Sequence, residues 1–246
     1  MSYAPLEWDD FADTAAAVSP DAPFSLTQIQ SIGRMVDMLR AYNASASLMS
    51  DAALADVLRG HVLDSLTLLP LIRSAKLHEG RLVDVGTGGG FPGLVLAVAE
   101  PSLRVTLMDA TRKKTAYLER VCAELGLDVD VRHARAEDAA HDPALRETFD
   151  VAVCRALGPW PVVLELTLPF CTTGGVLFGQ RGSDAPSEAA AHAETAALLG
   201  GRVVGVEQVG VETGLENRHV ITVEKVESTP PRYPRKAGIP AKRPLI

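Results

Sequence analysis

The residues best placed to do chemistry begin at Leu82-Val83-Asp84-Val85, an apolar stretch that runs into Gly86-Thr87-Gly88-Gly89-Gly90-Phe91-Pro92-Gly93. Glycines at such a turn let the backbone approach a ligand and leave amides free at the start of a helix, which Pro92 is suited to open. The loop reads two ways. Gly86, Gly88 and Gly90 carry the spacing of an S-adenosylmethionine loop, whereas Gly88, Gly90 and Gly93 carry that of a dinucleotide loop. A dinucleotide turn starts with its first glycine directly after the strand. Counted from Gly86, its third glycine would be Phe91, which cannot give the close helix-to-sheet approach of glycine. Register favours S-adenosylmethionine and leaves NAD as the alternative.

Asp109 ends the apolar run Val105-Thr106-Leu107-Met108, 23 residues past Gly86. An ionised carboxylate there can accept both hydrogen bonds of a ribose diol, in either cofactor; the plainer role is to cap a helix over 111–125. Ala134-Arg135-Ala136-Glu137-Asp138 follows the next apolar run, where an adenine edge would lie. Phe149-Asp150-Val151-Ala152-Val153-Cys154-Arg155-Ala156 lacks the Asx-Pro-Pro-aromatic group used on exocyclic amines and offers a cation, Arg155, at its exit. Cys154 has no Pro-Cys pairing and reads as a small strand residue rather than a nucleophile. Arg112, Lys113 and Lys114 fall in a first helical turn, where the macrodipole disfavours cations, so a phosphate-facing role competes with a solvated patch. His61 and Asp64, three apart on a helix, read as a core or capping hydrogen bond, and no metal site is expected.

These residues need elements to position them. From 81 onward short apolar runs at 81–85, 104–108, 129–133, 150–154, 175–179, 203–208 and 219–224 alternate with helical stretches, the rhythm of a parallel sheet covered on both faces. The last two runs are joined by a polar turn with no room for a helix, so one of them should run antiparallel. The expected fold is α/β, a doubly wound Rossmann-like sheet of about seven strands over 77–227, with an Ala-rich helix at 185–199. Residues 1–76 read as an N-terminal helical cap. A helix over 24–40 opens with Ser25 and Gln28 as a capping box and Phe24 against Ile29 as a staple, and further helices cover 51–58 and 61–76, broken at Pro70. Residues 228–246, with five prolines, should be extended and outside any regular element.

Composition bounds the rest. With 246 residues and 47% hydrophobic content the chain can bury a full core. Three widely spaced cysteines suggest neither disulfides nor zinc, which fits a cytoplasmic setting. The acidic start MSYAPLEWDDFADT does not resemble a secretory signal, and no apolar run reaches the roughly 20 residues of a membrane span. The formal charge is −7, yet residues 228–246 hold Arg232, Arg235, Lys236, Lys242 and Arg243 with no acid, which leaves 19 basic against 31 acidic residues elsewhere. The total argues against indiscriminate nucleic-acid binding, but the basic charge is concentrated in the tail. A small-molecule methyltransferase would have no use for it, an NAD-dependent oxidoreductase would share the glycine loop, and a non-catalytic RNA-binding module is the third alternative.

Together the segments resemble the glucose-inhibited division protein B family, the bacterial small-subunit ribosomal RNA guanine-N7 methyltransferases. The resemblance rests on Gly60-His61-Val62-Leu63-Asp64-Ser65-Leu66, on Asp84 through Gly93, on Asp109 with Lys113-Lys114, on Glu137, on Cys154-Arg155-Ala156, and on the tail from Tyr233 to Leu245, and it covers most of 40–246. The chain departs from the family at Tyr42 to Met49, where a Trp-Asn…Asn-Leu-Thr stretch is usual, and at Cys154, where Ser is usual. The resemblance implies S-adenosylmethionine contacts at Gly86, Phe91, Ala136, Glu137 and Arg155. Thr87, Gly88 and Ala110 join them from the same loops as Gly86 and Asp109. It implies a guanine of 16S ribosomal RNA in the small subunit as substrate, with Arg112, Lys113, Lys114 and the five tail cations against RNA. Guanine N7 carries a lone pair and no proton, so the one catalytic assignment, Arg155, is to positioning rather than proton transfer. The expected form is a monomer.

Overall fold

The computed structural model describes residues 8–20, 23–46, 48–50 and 56–246. Each apolar run becomes a strand: β1 (Arg81–Val85), β2 (Arg104–Asp109), β3 (Asp130–His133), β4 (Phe149–Arg155), β5 (Cys171–Arg181), β6 (Gly201–Gln208) and β7 (His219–Lys225). They form one sheet in the order β3-β2-β1-β4-β5-β7-β6. β1 to β5 pair in parallel, and β7 alone runs against its neighbours β5 and β6. The connection from β6 to β7, with a single 3-10 turn at Val211–Thr213, is too short for a crossover and enforces that reversal, because a parallel pair needs one. Strand order reverses between β1 and β4, so their C-terminal ends diverge and open a crevice there.

Burial explains why the central strands are apolar without alternation. Leu82, Val151 and Val153 enter the core on one face of the sheet, while Val83, Val85, Ala152 and Cys154 enter the core on the other. Both faces are covered, and both sets of side chains are buried. The first core continues without a break into Phe11, Ile32, Leu39 and Leu63 of the N-terminal helices. α6 (Gly93–Ala99) and α7 (Arg112–Leu125) lie on that side. α9 (Trp160–Thr167), α10 (Ala185–Ala191) and α11 (Ala193–Leu198) cover the other, with α8 (Ala136–Ala139) at its margin. His192 divides the Ala-rich stretch into two helices where one was expected.

α1 (Trp8–Val18) precedes α2 (Leu26–Ala46), which opens on the expected capping box: the Ser25 amide donates to Gln28 Oε1 at 2.8 Å and the Gln28 amide to Ser25 Oγ at 3.3 Å. It continues past 40 to Ala46. Beyond it Asn43 closes the chain on Met49 with two hydrogen bonds to its backbone. Residues 51–55 of the expected 51–58 helix lie outside the described residues. The next turns are α3 (Val57–Leu63), wound as a π-helix, then α4 (Asp64–Leu66) and α5 (Leu68–Ser74). The break falls at Thr67 and not at Pro70. Pro70 sits in the first turn of α5, where its missing N–H has no intrahelical partner to lose.

The tail is the largest departure from expectation. It folds back on the body and ends in a short helix, α12 (Ile239–Lys242). Arg146 donates to the carbonyls of Thr229 and Tyr233, His141 Nε2 meets the Pro234 carbonyl, and Tyr233 is buried in the second core. Proline content signalled the absence of ladder bonds; it could not show that side chains of the body would satisfy the tail's carbonyls instead. Among the described residues no helix is long and apolar enough to cross a membrane.

Candidate active site

The glycine loop crosses the crevice between β1 and β4. Gly86 has φ +76°, and a Cβ there would lie 2.5 Å from Leu157 Cδ1, so both backbone conformation and space require glycine. The close approach of helix to sheet is made further on, by Gly93, where a Cβ would fall 2.6 Å from both Asp84 Cβ and Leu107 Cδ2.

Six of the loop's seven amides are already engaged, contrary to the sequence expectation. Those of Gly86 and Thr87 donate to the Met108 carbonyl at 2.8 and 3.0 Å, and those of Gly90 and Phe91 to the Thr87 carbonyl at 2.9 and 3.0 Å. The Gly88 amide donates to Asp109 Oδ2 at 3.0 Å, and the Gly93 amide, the first of α6, to Asp84 Oδ2 at 2.7 Å. Asp84 is fully buried, and that burial pushes its carboxyl up to about 6 despite the hydrogen bonds and the Arg155 charge that pull it down. An internal carboxylate thus occupies the helix start that a dinucleotide's pyrophosphate would need.

Gly86 lines a cavity of about 180 Å³ with Met108, Asp109, Ala110, Ala134, Arg135, Ala136, Glu137, Leu157 and Leu166. The structure therefore brings five expected contacts, Gly86, Asp109, Ala110, Ala136 and Glu137, to one space. Asp109 Oδ1 accepts the Thr111 amide at 2.8 Å and Lys114 Nζ stands 3.8 Å from Oδ2, so the residue braces the start of α7 as well as the glycine loop. A carboxylate accepts about four hydrogen bonds, which leaves positions for a ligand. Glu137 Oε1 accepts the Gly238 amide from the tail at 2.9 Å. Thr87 is buried beneath the loop, away from the cavity lining. The lining residues Leu157 and Leu166 carried no sequence signal, being apolar and outside any motif.

Phe91 and Arg155 meet elsewhere. The Arg155 guanidinium lies 5.4 Å from the Phe91 ring centroid, and Nη1 donates to the Gly60 carbonyl and to Asp64 Oδ2, each at 2.9 Å. Nη2 meets His61 Nδ1, and the His61 ring sits 5.1 Å from that of Phe91. His61 and Asp64 thus face Arg155. Asp64, passed over in the sequence as a core polar residue, is the centre of this cluster, with Arg218 Nε 3.4 Å from Oδ1. Burial first, and then Arg155 and Arg218, push His61 down to about 3, so it is neutral. Cys154 is inert: burial, with the Asp84 charge, pushes its thiol up to about 12. Among the described residues no group of His, Cys, Asp and Glu could hold a metal ion.

Of the expected RNA contacts, Arg112, Lys113, Arg232, Lys236, Lys242 and Arg243 are exposed. Lys114 is engaged by Asp109, which offsets its unfavourable position at a helix start. Arg235 is half-buried and paired. Its Nε and Nη2 donate to Glu165, a fully buried carboxylate of α9, at 2.9 and 2.6 Å, so its charge is spent inside the protein.

The family model described as rRNA small subunit methyltransferase G matches residues 28–221. The chain is 39% identical over 220 residues to Ribosomal RNA small subunit methyltransferase G of Desulfitobacterium hafniense, covering 89% of this chain and 90% of that one. It is 40% identical over 220 residues to the protein of that name from Roseiflexus castenholzii, covering 89% and 92%. Among solved structures, a putative sarcosine dimethylglycine methyltransferase from Galdieria sulphuraria superposes with TM-score 0.54 at 9% identity, over 78% of this chain and 99% of that one. A branched-chain polyamine synthase mutein from Thermus thermophilus superposes with TM-score 0.56 at 15% identity, over 80% and 65%. These two share the fold alone. Matched across most of its length by the family model and by relatives at this identity, the chain belongs to the rRNA small subunit methyltransferase G family.

Proposed function

We propose that the protein transfers a methyl group from S-adenosylmethionine to N7 of a guanine in 16S ribosomal RNA of the small subunit, acting as a cytoplasmic monomer. One observation carries the cofactor reading. Asp84 and Asp109 already take the amides that a pyrophosphate would bind, beside a small cavity provided with a carboxylate for a ribose. A phosphate-free nucleoside fits that donor set and a dinucleotide does not.

When bound, the cofactor supplies a sulfonium methyl that a guanine N7 lone pair can take directly, with no proton removed. Asp109 accepts the ribose diol, Ala136 and Glu137 border the adenine, and Gly86 lets the ligand lie against the backbone. Arg155, beside Phe91 of the same loop, orients the cofactor's amino-acid end. The work of these groups is alignment and exclusion of water. Neutral His61 has its Nδ1 turned to Arg155 and is not a base for the reaction. Arg112, Lys113 and the exposed tail cations Arg232, Lys236, Lys242 and Arg243 meet RNA phosphates.

The test is incubation with methyl-labelled S-adenosylmethionine and small ribosomal subunits lacking the modification, followed by digestion to nucleosides and mass spectrometry. Labelled 7-methylguanosine is expected. Label on another nucleoside, or on none, overturns the proposal.

A further inference from the structure

Arg155 is gripped by a single turn of chain. Gly60, His61 and Asp64 converge on it because Val57–Leu63 is wound as a π-helix running straight into Asp64–Leu66, so one carbonyl and two side chains point the same way. Single turns of this kind are uncommon and cluster at functional positions. The grip is itself anchored. Asp64 is 1% exposed, its carbonyl accepts Gln180 Nε2 of β5 at 2.6 Å, and Arg218 reaches it from the turn before β7.

Charge in the cluster is shared among several groups. Asp64 answers two guanidiniums, Arg155 and Arg218, while His61 is neutral and the neighbours Asp56 and Arg59 offset one another. Asp84, buried nearby, is a further carboxylate that feels the Arg155 charge. Of the five N–H groups of Arg155, three are used by Gly60, Asp64 and His61, and two have no acceptor among the described residues. Planar recognition of a carboxylate requires the guanidinium plane to be fixed. The Gly60 carbonyl and Asp64 both bind Nη1; among the described residues only His61 holds Nη2, the nitrogen that also carries a free N–H, and the three contacts together fix the guanidinium. An imidazole serving as acceptor at Nδ1 keeps its proton on Nε2.

We propose that His61 is a positioning residue for methyl transfer, its Nδ1 setting the plane of the Arg155 guanidinium so that the remaining N–H groups meet the carboxylate of S-adenosylmethionine. This rests on the assignment of Arg155 to the cofactor's amino-acid end.

The experiment compares the Kd of S-adenosylhomocysteine with that of 5′-methylthioadenosine, which has the same nucleoside and thioether but no amino-acid end, by calorimetry on the full chain. In His61→Leu the Kd of S-adenosylhomocysteine should rise by about tenfold while that of 5′-methylthioadenosine stays within about twofold, the loss expected when a bidentate carboxylate contact is misaligned. His61→Asn, whose Oδ1 can replace Nδ1 as acceptor, should restore most of the preference. Where His61→Leu does not fold, His61→Ala removes the same acceptor with more room and is read in its place. A histidine variant that weakens both ligands equally, or neither, overturns the proposal. Arg155→Gln separates the role of His61 from that of Arg155. If it abolishes the preference while the histidine variants keep it, the role of His61 is wrong and that of Arg155 stands. If it too keeps the preference, the cofactor assignment of Arg155 fails and the role of His61 falls with it.

Discussion

Asp109 carries two loads at once. Its oxygens hold the Gly88 and Thr111 amides and, in the proposed function, also take the ribose diol. Asp109→Ala should therefore weaken S-adenosylmethionine binding by on the order of 2–4 kcal/mol for the lost diol bonds, and also lower stability by about 1–2 kcal/mol for the two amides. Calorimetry beside thermal melts separates these losses; unchanged affinity in a folded variant would remove the assignment. The residue was legible from sequence because a carboxylate at a strand end, at a set distance from a glycine turn, has few other uses. Its bracing role was legible only as the alternative cap reading, and one carboxylate has acceptor positions enough for both. Arg155 was legible as an isolated cation at the β4 exit, whereas its partners were not. Gly60, His61 and Asp64 lie some ninety residues earlier, and only the π-helical winding of α3 aims them at one point.

At the scale of elements, the start of α6 holds a testable cost. Asp84 sits at about 6, above the ordinary 3.8, because it is buried. Between roughly pH 4 and 6 the native state keeps a proton that the unfolded chain has lost, so this residue's contribution to stability falls as pH rises through that window. Above it the penalty is on the order of 2–3 kcal/mol. Asp84→Asn keeps an acceptor for the Gly93 amide and cannot ionise, so it should melt higher than the parent at pH 8 and no higher at pH 4. A variant less stable at pH 8 would contradict this account. All seven strands and the lone antiparallel one could be read from apolar runs and from the length of the β6–β7 connection. The occupied amides could not, because Asp84 looks like one polar residue within a strand, and its hydrogen bond to Gly93 depends on how closely α6 approaches the sheet.

At the scale of the whole molecule, the C-terminal stretch joins the body to the surface proposed for RNA. Its composition predicted the basic surface but not the docking, since the Glu165 that receives Arg235 is an acid in an otherwise apolar helix with no sequence link to the tail. Arg235→Ala leaves that buried carboxylate without a counter-charge, held only by the residue-235 amide, and should cost about 3 kcal/mol, near the lower end for a broken buried pair because Arg235 is a quarter exposed. Denaturant titration measures it, and a loss under about 1 kcal/mol would argue against a strong internal pair. Neutralising Arg232, Lys236, Lys242 and Arg243 instead should leave the fold intact and shallow the dependence of log RNA affinity on log salt by about 3 units, at about 0.7 per single-stranded contact. An unaltered slope would assign the tail to packing alone. The central claim is that the assembled molecule passes a methyl directly to a guanine lone pair, with alignment as its only task. Its most direct test is the single-turnover rate of methyl transfer to small subunits, at saturating cofactor and subunit, measured from about pH 6.5 to 8.5, where a required base would change the rate about tenfold per unit below its pKa. The account predicts a nearly flat profile across that range; a limb of unit slope, with subunit binding shown to be independent of pH, would contradict it.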